Sequence, residues 1–438
     1  MEIDKTTLSD LSLIDTEGEF SVFHHLNLCR TIGGRDQLFE NFKRPLKSIE
    51  EIEGVQQTLQ TILKNLELWP NQISNGSILM IEKFYQTSFE LIPKNPSNLS
   101  AYSYKLFNRA DFSMVEYSVG HSFDFIKGMK LLVKIFLTPQ SPAPLKKLLG
   151  AIEIMLQKEE FTIIEKNNKA ANLSIAQQLE LGHFLKYQFK RNMQELLNCY
   201  SQLDAWYGMA LAVKEFHLNF PKLIEIDRPF LKAKGLYHLQ LNNAIGYDVT
   251  LDDQSNFLFL TGANMAGKST LIKSVGTAVF LAHIGMGVPA ENMQLSCFDG
   301  MLSNINVMDN LLEGESYFYN EVHRIKSTVQ RISDGRKWLI LIDELFKGTN
   351  VEDAMKCSTT VIKGLLKMKK SLFILSTHLY EIGDELKSFP NIRFSYFETI
   401  VKEDQLFFNY QLKEGISNDR LGYFILKNEG VVELLEKL

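Results

Sequence analysis

The chain has 438 residues, a formal net charge of −5, and 45% hydrophobic against 23% charged residues, which is enough apolar material for two or three globular domains. Such a balance excludes a globally basic nucleic-acid binder, although a local basic patch remains compatible with it because charge distribution governs binding. Cys29, Cys199, Cys297 and Cys357 form no C-x-x-C pair, so neither a disulfide framework nor a zinc site is expected.

In chain order, the N-terminus carries early acidic residues and no apolar run of the kind a secretory signal needs. Residues 1 to about 235 then read as almost wholly helical. Ser48 with Glu51 three residues on has the form of a capping box. Ile49, Ile52, Val55, Leu59, Ile62, Leu63 and Leu66 follow as one apolar face. Residues 93–98 interrupt the pattern as a polar loop, and residues 138–144, with Pro139, Pro142 and Pro144, interrupt it again. From about Ser174 to His217 there is no proline and there are two glycines, Gly182 and Gly208. That stretch reads either as one long lever helix or as a bundle helix broken at Gly208. Leu181, Leu185, Met193, Leu196, Tyr200, Leu203 and Trp206 can line one stripe of it.

Beyond Pro221 the pattern changes. Residues 237–241 and 247–251 alternate like strands. Apolar strands at 256–261, 338–342 and 371–377 are separated by helical patterns, which implies a mainly parallel sheet with right-handed crossovers. Residues 392–401 and 405–412 read as an antiparallel hairpin at its edge. The longest apolar run, residues 275–290, is broken by Gly276, His283, Gly285, Gly287 and Pro289, and it is too short to span a bilayer. No membrane association and a cytoplasmic location are therefore expected.

The chemistry is concentrated at Gly262-Ala263-Asn264-Met265-Ala266-Gly267-Lys268-Ser269-Thr270, which fits G-x-x-x-x-G-K-[ST] between a strand and a helix. In that setting backbone N–H groups curl around phosphate oxygens and the helix N-terminus adds its positive end. Lys268 is expected to reach the β/γ-phosphates and the Ser269 hydroxyl to help hold Mg²⁺. An apolar strand ending in Asp343-Glu344 is costly to bury unless something positive faces the acids. Asp343 is the expected Mg²⁺ partner, and Glu344 the group that orients or deprotonates the attacking water. The next strand ends in Ser376-Thr377-His378, so His378 should sit beside the same pocket and could donate to the γ-phosphate.

Together these residues resemble the MutS family, within the wider group of ABC-type ATPases. The phosphate loop is similar to the family's, with Ala263 and Ala266 in place of the usual Pro and Gly. Residues 284–290 resemble the segment after its first helix. Asp309-Asn310-Leu311, Gly314-Glu315-Ser316-Tyr317-Phe318 and Glu321 resemble its signature segment, and residues 414–423 its closing segment. Residues 343–350 resemble the carboxylate strand and following loop, with Phe346, Lys347 and Asn350 where Gly, Arg and Ser/Thr are usual. A weaker likeness to the family's helical core runs through residues 23–52.

This resemblance implies an ABC-type, MutS-like α/β P-loop ATPase domain at 236–438, ending in a short helical segment and preceded by an all-α core/lever domain at 1–235. It implies ATP and Mg²⁺, DNA as partner, and a homodimer in the ATP-bound state. Ser316 would then complete the facing subunit's nucleotide site. Hydrolysis would drive a helical lever in DNA repair or recombination. No phenylalanine here has Glu two positions on, so the Phe-x-Glu motif by which mismatch-reading members probe DNA is missing, and the chain starts about where the family's core starts. The alternative expectation is an ATPase acting on branched DNA or a protein partner. A P-loop kinase is a further rival, which leaves the Ser316 segment unexplained. Residues 186–191 and the set Lys127, Lys130 and Lys134 are the basic stretches available for DNA, and each also suits a solvated helix face.

Overall fold

The computed structural model describes residues 1–14, 20–305, 317–402, 405–417 and 422–436. They form two compact units. One comprises Leu26–Lys43 and Gly54–Glu215, the other Met1–His25, Arg44–Glu53 and Phe216–Leu438.

The first unit is helical. Lys190–Glu215 packs on Ile32–Lys43, and Arg109–Phe136 packs on Asn75–Gln86 and Ala143–Leu156. The prolines at 139–144 act as read from sequence, since Pro142 and Pro144 stand at the start of Ala143–Leu156. Asp204 fixes the first of these pairings. Its fully buried carboxylate accepts hydrogen bonds from Thr31 N at 2.8 Å, Thr31 Oγ1 at 2.6 Å and Arg30 N at 3.1 Å, so it satisfies orphan donors at the start of Ile32–Lys43. The long segment is not broken at Gly208. It is interrupted by a π-helical turn at Phe184–Gln188, and Gly208 serves instead as a close-approach point. A Cβ there would meet Cys29 Sγ at 2.8 Å and Cys29 N at 2.9 Å.

The basic residues singled out for DNA are partly consumed inside this unit. Lys186 donates to Phe84 O at 2.6 Å and Thr87 O at 2.8 Å, closing the end of Asn75–Gln86. Lys127 donates to Asn167 O and Asn168 O, and Lys130 pairs with Glu165.

The second unit holds the sheets. Its strands are β1 (Glu2–Ile3), β2 (Lys222–Ile224), β3 (Leu231–Leu236), β4 (Tyr247–Leu251), β5 (Phe257–Thr261), β6 (Asn292–Ser296), β7 (Gly300–Asn304), β8 (Trp338–Asp343), β9 (Ser371–Ser376), β10 (Ile392–Lys402) and β11 (Gln405–Glu414). A seven-stranded sheet runs β1-β7-β8-β9-β5-β10-β11, and it is parallel except for the β10–β11 hairpin. A four-stranded sheet runs β2-β6-β3-β4. Strands β5, β8 and β9 are buried along their whole length, as parallel strands covered on both faces are. Ser48 and Glu51 divide the expected capping box. Ser48 Oγ accepts from Glu51 N at 3.2 Å, while Glu51 takes Lys47 N at 3.1 Å.

Two sequence expectations are corrected, and two strands go beyond them. Residues 237–241 form no strand; the pairing strand lies earlier, at β3, because its partners β4 and β6 set the register. Strands β6 and β7 are too mixed in composition to stand out by periodicity. Residues 1–25 and 44–53 belong to the unit that holds the sheets and not to the helical unit. There β1 adds an edge strand to β7, and the Met1 amine donates to Leu46 O at 2.7 Å. Among the described residues no helix is long and apolar enough to cross a membrane.

Strand β7 begins at Gly300 because a Cβ there would fall inside the Trp338 ring, which is fully buried. Gly300→Ala should therefore cost about 1–3 kcal/mol by overpacking. Gly150→Ala, whose Cβ meets open space within a helix, should be neutral or gain about 0.5–1 kcal/mol. Chemical denaturation midpoints of the two variants test the contrast.

Candidate active site

Register brings the site together. Asp343 on β8 is paired with Ser376 on β9, and Ser376 with Leu260 on β5. The C-terminal ends of three parallel strands thus lie at one level, the position at which open α/β sheets present ligand sites. From these ends come the phosphate loop, the paired acids and His378.

The phosphate loop owes its shape to three left-handed residues, Gly262 at φ 138°, Met265 at φ 65° and Gly267 at φ 114°. Glycine adopts these values freely, and Met265 does so at a steric cost. At Gly262 a Cβ would also press on Phe397 O at 3.1 Å. The helix Lys268–His283 starts directly after Gly267, so its first N–H groups face the loop. Lys268 is buried and its Nζ donates to Gly262 O at 2.8 Å and Ala263 O at 2.9 Å, which ties the loop to its own lysine. Burial lowers its pKa, and the nearby Glu344 and Asp343 charges partly restore it.

Asp343 joins the loop to the neighbouring strand. Its Oδ2 accepts from Ser269 Oγ at 2.5 Å and its Oδ1 accepts from Ser376 Oγ. Next in the chain, Glu344 adopts φ 66°, and its N–H donates to Ser376 O at 3.0 Å. The turn aims its carboxylate at His378 Nε2, 3.1 Å away, and at Lys347 Nζ, 3.3 Å away. Burial pushes the Glu344 carboxyl up, but the His378 hydrogen bond and the Lys347 charge outweigh it and hold the pKa at about 2. The same His378 Nε2 is 3.3 Å from Lys268 Nζ. With its proton, Nε2 donates to Glu344; without it, Nε2 accepts from Lys268. His378 is thereby placed between the acid and the lysine.

Lys268, Ser269, Asp343, Glu344 and His378, picked out from three separate stretches of the sequence, are brought into one hydrogen-bonded cluster. Ser316 and most of the signature segment fall at residues 306–316, outside the described residues, as do 418–421 of the closing segment. Two contributors carry no signal of their own in the sequence: Ser376 is one residue of a strand end, and Lys347 stands out only as a departure from the family pattern. Phe346, standing where the resemblance leads one to expect Gly, also has a left-handed backbone at φ 59° and is buried against Phe318, with ring centroids 5.7 Å apart. Asn350 keeps the capping chemistry of Ser/Thr, accepting from Asp353 N at 3.0 Å at the start of Val351–Leu365.

Ser269 and Asp343 make a small, hard oxygen donor set. That suits Mg²⁺, which is held by one or two carboxylates together with substrate phosphates and water. Among the described residues no three His, Cys, Asp or Glu side chains gather as a separate metal cage.

Comparison with known proteins follows the same residues. Residues 258–434 match the family model for MutS domain V. The "DNA mismatch repair protein MutS" of Streptococcus agalactiae is 26% identical over 289 residues, covering 64% of this chain and 33% of that protein. That of Carboxydothermus hydrogenoformans is 28% identical over 286 residues, covering 63% of this chain and 33% of that protein. The "DNA mismatch repair protein spellchecker 1" of Drosophila melanogaster is 28% identical over 235 residues, covering 52% and 25% respectively. The chain thus spans a quarter to a third of the length of these relatives. With the match laid over the strands and loops that build the cluster, residues 258–434 form a MutS domain V.

Proposed function

We propose that this protein is an ATP hydrolase of the MutS type that binds DNA and works as a homodimer in its ATP-bound state. The observation that carries the reading is the cluster itself: a phosphate loop, a hydroxyl–carboxylate pair and a second carboxylate poised beside it on adjacent strand ends. Residues 262–270 would bind the triphosphate, with backbone N–H groups and the Lys268 ammonium neutralising the phosphates. Lys268 would exchange its bonds to Gly262 O and Ala263 O for phosphate oxygens. Ser269 and Asp343 would hold Mg²⁺, which supplies charge neutralisation at the phosphate oxygens when bound. Glu344 would align the attacking water and accept its proton, and His378 would then be free to contact the γ-phosphate. Ser316 of a second copy would complete the site. Met265 at the loop tip and Val351 are 78% and 61% exposed, which suits a surface that a partner covers.

The helical unit would act as core and lever, and the sheet unit as the ATPase domain, in DNA repair or recombination. A second reading keeps the ATPase and changes its target to branched DNA or a protein. It is favoured by the use of Lys127, Lys130 and Lys186 in bonds within the helical unit. Affinities for homoduplex, mismatched and branched DNA at fixed salt decide between the two.

Three outcomes are expected. Lys268→Ala should abolish nucleotide binding in a fluorescent-nucleotide titration, by at least about a hundredfold, because a buried charge-assisted contact is lost. Glu344→Gln should bind ATP normally, lose turnover by about a hundredfold or more, and sediment as an ATP-dependent dimer; wild-type turnover in that variant sinks the role of Glu344. The acid limb follows from the depressed Glu344 pKa. Stability from its ion pairs is complete above its ordinary value of 4.5 and is lost as pH falls toward about 2. The melting difference between wild type and Glu344→Gln should accordingly shrink as pH falls through that window.

A further inference from the structure

The turn after Glu344 is held from outside. Within three residues the backbone is left-handed twice, at Glu344 and Phe346, a conformation that persists only where the surroundings enforce it. The enforcing group is Glu321, on the helix Tyr317–Ile332. The residue is 3% exposed, and its two carboxylate oxygens accept from Lys347 N and Gly348 N, each at 3.2 Å. Burial pushes the Glu321 carboxyl up, and the N–H groups of Lys347, Gly348 and Phe346 pull it back toward the ionised form. Lys347 in turn places its ammonium on Glu344.

The same helix is fixed by the N-terminal segment. Arg324 and Arg331, seven residues apart, share one stripe. Arg324 Nη2 donates to Asp10 Oδ2 and to Ser303 O, both at 2.9 Å. Arg331 donates to Asp4 and Glu2, each at 2.7 Å, and Arg336 just beyond the helix reaches Glu2 at 2.9 Å. Asp10, 3% exposed at its side chain, also takes Ser303 Oγ at 2.6 Å and Ile305 N at 3.0 Å. A buried, multiply bonded carboxylate loses several kcal/mol of favourable contacts when its partners move, so this clamp resists rotation of the helix.

We propose that Glu321 is a positioning residue for the Glu344 carboxylate, and that Glu2, Asp4 and Asp10 set the helix that carries it, so that the N-terminal segment regulates turnover. The proposal rests on the hydrolytic reading of Glu344. Its physical content is a rod: carboxylates of residues 2–10 hold one stripe of Tyr317–Ile332, and Glu321 on the neighbouring stripe holds the turn at 346–348.

Two readouts test it in the full-length protein, hydrogen exchange of the segment 345–350 and steady-state ATP hydrolysis, with Glu321→Gln, Asp10→Asn and the double variant. Exchange at 346–348 should quicken in both single variants while β8 stays protected. Turnover should fall about ten- to a hundredfold at unchanged KM, since misplacing a reacting group costs rate and not binding. The double variant should be no slower than Glu321→Gln alone, because both changes act through one helix. Unchanged exchange at 346–348 in Asp10→Asn overturns the link, and so does full additivity in the double variant. Quickened exchange with wild-type turnover overturns the positioning role. A wild-type protein that binds no nucleotide and hydrolyses none refutes the ATPase reading instead, and the exchange measurement alone then decides the link.

Discussion

Asp343 is the carboxylate on which the site depends. One oxygen takes the Ser269 hydroxyl from the first turn after the phosphate loop, and the other takes the Ser376 hydroxyl from the adjoining strand. An aspartate so placed at the end of an all-apolar strand must be fully satisfied, because an unmet buried charge costs several kcal/mol. The two serines meet that demand, and in doing so they lock the loop and both strand ends to one another. Glu344, one residue on, is then turned away from the sheet by its left-handed backbone and delivered to His378 and Lys347.

Charge in the cluster is arranged in facing groups: His378 stands between Lys268 and one oxygen of Glu344, and Lys347 lies on the other. Each cation offsets the cost of burying a neighbouring acid. Burial lowers the pKa of Lys268, which the nearby acids partly restore, while His378 and Lys347 hold Glu344 ionised with its pKa near 2. The loops that supply these groups are tied down at a distance: Thr261 Oγ1 accepts from Ser417 N at 2.9 Å, which seats the segment after β11 on the strand that leads into the phosphate loop. The helical unit shows the same economy. Asp204 satisfies a helix start from a neighbouring helix, and Lys186 satisfies a helix end.

The resemblance and the geometry meet most informatively at the departures. Phe346 occupies a left-handed position that glycine would fill without strain, and burial against Phe318 offsets part of that cost. Lys347 keeps a positive charge beside Glu344 but as a point charge, without the planar fork an arginine would bring. Asn350 caps its helix as Ser or Thr would. These substitutions alter the turn that follows the proposed water-aligning residue while leaving the carboxylates themselves in place.

Sequence by itself determined what is local. The phosphate loop, the carboxylates at 343 and 344, the parallel strands at β5, β8 and β9, the edge hairpin, the helix start at Ser48 and the break at the prolines of 138–144 are legible because their chemistry is written within a few residues. Tertiary structure alone decided the rest. Strands β6 and β7 carry no periodicity strong enough to read, and a two-residue strand such as β1 exists only by virtue of its partner. That residues 1–25 belong with the sheets depends on pairs such as Asp10 with Arg324 and Glu2 with Arg336, more than three hundred residues apart. The role of Glu321 likewise lies in which backbone N–H groups it meets. No pattern along a chain records which carboxylate will face which distant donor, since that choice is made only when the sheet's register and the helix's rotation are both set.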